Sequence, residues 1–119
     1  MRAREDDRAA LLVLAAIAEL IRARAADGKG EAQAAADLLR RGRRVTARPS
    51  RMLWFYLAHC AAGLSKRQIA RLTRTHCEVV RALIARVEDA RDEPAVDAEV
   101  AVLEEAVARI VAPAWAQAG

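Results

Sequence analysis

Aromatic residues are nearly missing from this chain: two Trp, one Phe and one Tyr in 119 positions. Apolar residues make up 55% of the sequence, but 30 positions are alanine. The core must therefore be one thin Ala/Leu/Val packing, the size of a single domain. Long apolar runs are absent as well. The longest, Ala9 to Ala18, stops at Glu19, against the roughly 20 residues a membrane span requires. Glu5, Asp6 and Asp7 ahead of that run argue against a secretory leader. Two cysteines, Cys60 and Cys77, supply no disulfide framework and suggest a reducing compartment. Gly28-Lys29-Gly30 lacks the upstream glycine and the hydroxyl residue of a phosphate-binding loop. The expectation is a small cytoplasmic protein with no membrane association. Asn is missing and Lys is scarce, with 2 Lys against 18 Arg. Such a bias follows from a GC-rich genome, so the net charge of +4 says little about partners.

What is present reads as an all-α fold of about six helices. Asp6 and Asp7 suit a helix start, where carboxylates meet the positive end of the dipole. Leu11, Leu14, Ala18 and Ile21 follow at helical spacing until Asp27-Gly28. A second helix fits Glu31 to Arg41. Residues 43–49 read as an extended connector, because Pro49 disfavours a helical Arg48. A third helix fits Arg51 to Ala62, with Ser50 as cap and Gly63 as stop. Pro94 closes a fifth helical region, and Ala95 to Val111 forms the last helix before Pro113. Its Val96, Val100, Leu103, Val107 and Ile110 make either a short coiled-coil seam or a face against the domain's own core. The first helix is apolar on more than one face, which suits a central position or a homodimer surface. The parts are an N-terminal helical pair (1–42), a central unit (46–91) and a C-terminal helix (95–111).

The central unit carries two capping boxes ten residues apart, Ser65-Lys66-Arg67-Gln68 and Thr75-His76-Cys77-Glu78. That interval holds a helix of about two turns and a tight turn. Ile69, Ala70, Val80 and Leu83 stand at helix-turn-helix offsets, with Ala70 where the helices touch. Arg74 occupies the turn position that usually holds glycine. The plain alternative is an ordinary helical hairpin with good caps.

Charge sharpens this reading. Residues 45–91 hold 9 basic and 3 acidic side chains, whereas 92–119 hold 1 basic and 6 acidic. From Leu38 through Cys77 there is no Asp or Glu, but ten cations: Arg40, Arg41, Arg43, Arg44, Arg48, Arg51, Lys66, Arg67, Arg71 and Arg74. A solvated basic face is one explanation. Phosphate contact is the other, since the run flanks the helix pair and ends at its second helix. That helix would present His76, Cys77, Arg81, Ala82 and Ala85 to a major groove. Arg81 is the best base reader, because its fork matches both acceptors on a guanine edge. The expected readout set is Arg74, His76, Cys77 and Arg81, and the expected phosphate or minor-groove set is Arg43, Arg44, Arg48, Arg51, Lys66, Arg67 and Arg71. The acids Asp97, Glu99, Glu104 and Glu105 should point away from a polyanion. The pairs His59-Cys60 and His76-Cys77 do not form a zinc module, since helical neighbours diverge by about 100°. No nucleophile–base or metal constellation appears, so neither an enzyme nor a cofactor is expected.

The stretch Tyr56-Leu57-Ala58 through Gly63-Leu64-Ser65 resembles the C-terminal DNA-binding domain of the bacterial replication initiator DnaA. Arg48-Pro49 lies upstream as that family's Arg-Pro does, and Gln68-Ile69-Ala70 resembles its Glu-Ile-Gly. Arg74-Thr75-His76-Cys77-Glu78-Val79 is similar to its Arg-Asp-His-Thr-Thr-Val signature, of which Arg74, His76 and Val79 are kept. The likeness spans residues 46–91. It implies base contacts for Arg74 and His76, though not for Cys77 or Glu78, and does not extend to the initiator's ATPase. One group with such a domain, the activators of gene transfer agents, adds a sigma-factor-like half. The expected function is therefore a sequence-specific bacterial transcription regulator in the nucleoid, an activator working with a partner protein. Its partners would be double-stranded DNA, RNA polymerase or a sigma-like protein, and a second copy of itself. The alternative is a DnaA-like module that binds replication or transcription proteins without reading DNA.

Overall fold

A computed structural model describes residues 2–27, 30–41 and 47–118, with side chains for 7–27, 30–41 and 47–112. Six helices and no strand occur among the described residues: α1 (Arg2–Ala26), α2 (Gly30–Arg40), α3 (Pro49–Cys60), α4 (Lys66–Thr73), α5 (Cys77–Ala90) and α6 (Pro94–Ala118). The all-α fold is as expected. None of these helices is long and apolar enough to cross a membrane.

The large side chains are concentrated in α3, and the other helices gather around it. Met52, Leu53, Phe55, Tyr56, Leu57 and Ala58 are all buried. Such a helix, apolar nearly all round, belongs at a centre. On one side α1 contributes Val13, Leu14 and Ile17, and on the other α5 contributes Val80, Ile84 and Val87. Trp54 stacks on Phe55 at 5.5 Å and donates its indole N–H to the Leu14 carbonyl at 2.8 Å. That bond satisfies the one polar atom this bulky residue brings inward.

The long helices α1 and α6 lie side by side. Arg24, near the end of α1, is ion-paired with Glu99, near the start of α6, so the two run in opposite directions. Glu99 is the one buried charged residue among those described, at 3% exposure. Expected to point outward with its acidic neighbours, it instead turns into the domain, because Arg24 meets both of its carboxylate oxygens. Asp97 and Glu104 are also engaged, each taking a hydrogen bond from Arg91 at 2.7 and 3.1 Å. Arg91 reaches the Tyr56 hydroxyl as well, at 2.9 Å. Burial pulls its pKa down, but the bonds to Tyr56 and Asp97 outweigh this and hold it above the ordinary guanidinium value.

Several helix ends differ from expectation. Backbone helix begins at Arg2, ahead of Asp6 and Asp7. Ser50 lies within α3 and does not cap it; Arg48 is the extended N-cap residue, and Pro49 takes the first helical position, where its missing N–H costs nothing. For the same reason Pro94 opens α6 instead of closing α5, which stops at Ala90. Pro113 does not end α6, which runs on to Ala118. Proline deprives the helix of one hydrogen bond and does not forbid the turns that follow. Gly63, in the left-handed region at φ +79°, ends the α3 segment as expected.

Val96, Val100, Leu103 and Val107 are buried, so the α6 seam packs onto the domain's own core. On α1, Ala10, Val13, Leu14, Ile17 and Ile21 are buried while Leu11 and Leu12 are exposed. Truncating Arg24 would strand a carboxylate inside the protein. Arg24→Met should cost about 2–4 kcal/mol in urea unfolding, and Arg24→Met/Glu99→Met should recover most of that loss. Equal loss in the double variant would show that the pair's charge is irrelevant to its contribution.

Candidate nucleic-acid interface

The interface is built on α4, a three-residue turn (Arg74, Thr75, His76) and α5. Ile69, Val80 and Leu83 are buried between the two helices, and Ala70 packs against them half-buried. At the start of α4, Ser65 Oγ accepts from the Gln68 amide at 3.0 Å, as its sequence position predicts. The return bond from the Gln68 side chain is not formed.

At the end of α4 the chain reverses through a residue that cannot do so freely. Arg74 has φ 53° and ψ 44°, the left-handed conformation, which disfavours a side chain by about 1–2 kcal/mol. Thr75 N–H returns to the Ala70 carbonyl at 2.9 Å and Arg74 N–H to Arg71 at 3.4 Å, the two bonds of a Schellman termination. Arg74 thus stands where glycine is usual, as the sequence indicates, and its side chain is exposed.

The second capping box is not formed. Thr75 Oγ1 accepts from Arg51 Nη2 at 2.8 Å and lies 3.0 Å from Thr73 Oγ1, which itself donates to the Ile69 carbonyl at 2.7 Å. With that hydroxyl committed to tertiary contacts, the cap falls to the next residue: His76 Nδ1 accepts from the Glu78 amide at 3.2 Å. An accepting Nδ1 places the ring proton on Nε2, leaving a donor on an exposed side chain.

The structure gathers some of the expected residues and separates others. Arg67 and Arg71 of α4 and Arg81 of α5 line one open concavity of about 500 Å³, together with Ala70, Thr75, Cys77 and Glu78. Arg51 joins this group through Thr75, with its guanidinium 5.3 Å from the Phe55 ring centre. It is therefore part of the scaffold of the turn, beyond the phosphate role expected of it. Lys66 is half-buried at the first position of α4. Arg48 lies elsewhere, lining a separate cleft of about 340 Å³ with Arg24, Arg40 and Glu99. Arg43 and Arg44 fall outside the described residues. Arg81 stands 3.5 Å from Glu78, an exposed pair of little energetic weight.

One participant was not anticipated. Asp7, 64 positions away on α1, accepts two hydrogen bonds from Arg71, at 2.6 and 3.0 Å. The basic surface that is free of acid in sequence has gained a carboxylate in space. Arg71 holds that carboxyl below the usual Asp range. Sequence offers no signal for so distant a pair.

No family model, curated protein or solved structure matches this chain. Its chemistry therefore rests on the residues themselves. Among the described residues, no three His, Cys, Asp or Glu side chains gather as a metal site. His59 Nδ1 donates to the Leu64 carbonyl at 2.8 Å, a structural bond behind Gly63. The α5 face beyond the turn presents exposed Arg81 beside Ala82 and Ala85, whose small side chains let a partner approach the helix closely.

Glycine relieves the left-handed turn without disturbing its hydrogen bonds. Arg74→Gly should raise unfolding free energy by about 0.5–1 kcal/mol, and Arg74→Val should lower it by more. Chemical denaturation of the three proteins is the check, and an unstable Arg74→Gly would mean that the Arg74 side chain supports the fold.

Proposed function

We propose that this protein is a sequence-specific bacterial DNA-binding transcription regulator, with α4 and α5 acting as its helix-turn-helix. The observation that carries the reading is the convergence of Arg67, Arg71 and Arg81 on one concavity at the start of α5. Three guanidiniums around an open depression suit the oxygens of a phosphodiester backbone. A B-form major groove, about 12 Å wide, accepts a helix of this kind. The resemblance of residues 46–91 to the DnaA C-terminal domain supports the same assignment.

In this reading Arg67 and Arg71 hold the backbone while α5 enters the groove by its first turns. Arg81 offers a fork to guanine, His76 its Nε2–H to a base or phosphate acceptor, and Arg74 reaches from the turn. Cys77, half-buried at the first position of α5, contributes contact area at most. The acids near the end of α5 and on α6 would face away from DNA. As the resemblance implies, such an activator would act with a partner, RNA polymerase or a sigma-like protein.

Selection of bound fragments from a bacterial genomic library, followed by titration at several salt concentrations, tests the proposal. Affinity should fall steeply with salt, about 0.9 log units per log unit for each phosphate neutralised. Arg81→Ala should weaken binding to selected sites about 10- to 100-fold, equivalent to about 1–3 kcal/mol. Arg67→Ala should weaken all sequences alike. Absence of salt-dependent binding would refute the assignment.

A further inference from the structure

We infer that Asp7 is a built-in competitor for the nucleic-acid surface, occupying Arg71 until a phosphate displaces it. The inference rests on the DNA-binding reading above and concerns the regulation of that same site. Arg71 shares its concavity with Arg67 and Arg81. Of these three cations, Arg71 alone is held from outside the α4–α5 unit, by a carboxylate that 64 residues separate from it.

The geometry is that of a stand-in. Each carboxylate oxygen of Asp7 takes one N–H, Oδ2 from Nη1 and Oδ1 from Nη2. Two oxygens of a phosphodiester engage a guanidinium fork in the same two-point manner. Arg71 is 59% exposed and Asp7 28%, so the bridge lies at the surface, within reach of an incoming strand. A phosphate approaching Arg71 meets the negative charge of Asp7 at the same guanidinium. Full contact therefore requires the bridge to open, and its strength is subtracted from the affinity. The partner supplying the carboxylate is α1, whose packing on α3 and α6 keeps it beside the surface. The N-terminal helix thus has a second task besides closing the core.

Fluorescence anisotropy of the full chain on a labelled duplex of mixed sequence, over a salt series, tests this. Asp7→Asn should bind about 1.5- to fivefold more tightly, the fold-change equivalent to the strength of an exposed ion pair. Its log–log salt slope should steepen by up to about one unit, for one further phosphate neutralised. Glu19→Gln removes the same charge from the same helix without opening the Arg71 bridge, and should change affinity by less. Arg71→Gln should bind more weakly, and adding Asp7→Asn to it should bring no gain. Unchanged or weaker binding by Asp7→Asn overturns the inference, the weaker result meaning that Asp7 positions Arg71. A gain equal to that of Glu19→Gln, or one that persists in Arg71→Gln, reduces the effect to net charge and also overturns it. Should the unaltered chain itself show no salt-dependent binding, the DNA reading fails and the inference with it. Failure of the inference alone leaves that binding intact.

Discussion

The burial of α3 is the constraint from which everything else follows. Thirty alanines give this chain abundant helix but little volume to pack. Three of its four aromatic residues, Trp54, Phe55 and Tyr56, are consecutive on one helix. Side chains of that size contribute most of what a small core can gain from leaving water. With α3 at the centre, the alanine-rich helices can be thin and still enclose it. Polar ends are carried to useful places by the same helix: Trp54 to the Leu14 carbonyl, Tyr56 to Arg91, and Arg51 to the turn between α4 and α5.

Arg51 joins the interior to the surface. Its guanidinium lies over Phe55 while its Nη2 holds Thr75, two residues before the start of α5. The orientation of the candidate reading helix is therefore referred to the core and not to a loop, which is how a rigid scaffold places functional side chains within useful tolerance. The same bond explains why His76 caps α5. Thr75 is withdrawn from capping by a partner 24 residues away, and the imidazole beside it supplies the missing acceptor.

What could be read from sequence divides along the range of the interactions involved. Ser65 as a cap, Gly63 as a stop, Arg74 at the reversal and the buried row Ile69, Val80, Leu83 are decided by neighbours within a few turns, and periodicity reveals them. Thr75, Asp7 and Glu99 were misread or missed because their partners, Arg51, Arg71 and Arg24, lie 24, 64 and 75 positions away. The prolines mislead for a different reason. Pro49 and Pro94 mark boundaries correctly, but each is the first residue of a helix and neither precedes one. Of the expected phosphate set, only Arg67 and Arg71 among the described residues line the concavity with Arg81. Arg48 shows that an unbroken run of charge in sequence divides between two surfaces once the chain folds.

Arg91 binds Tyr56 of α3 and both Asp97 and Glu104 of α6, while its own amide ends α5 on the Val87 carbonyl. One side chain thus clasps three helices, and these must open together. The short helix α2 is held differently: it packs along α6, gives Ala35 and Leu39 to the core, and has the carbonyls of Leu38 and Leu39 satisfied by Arg86. A change at Arg91 would therefore be felt in α3, α5 and α6 at once, far beyond the single position altered.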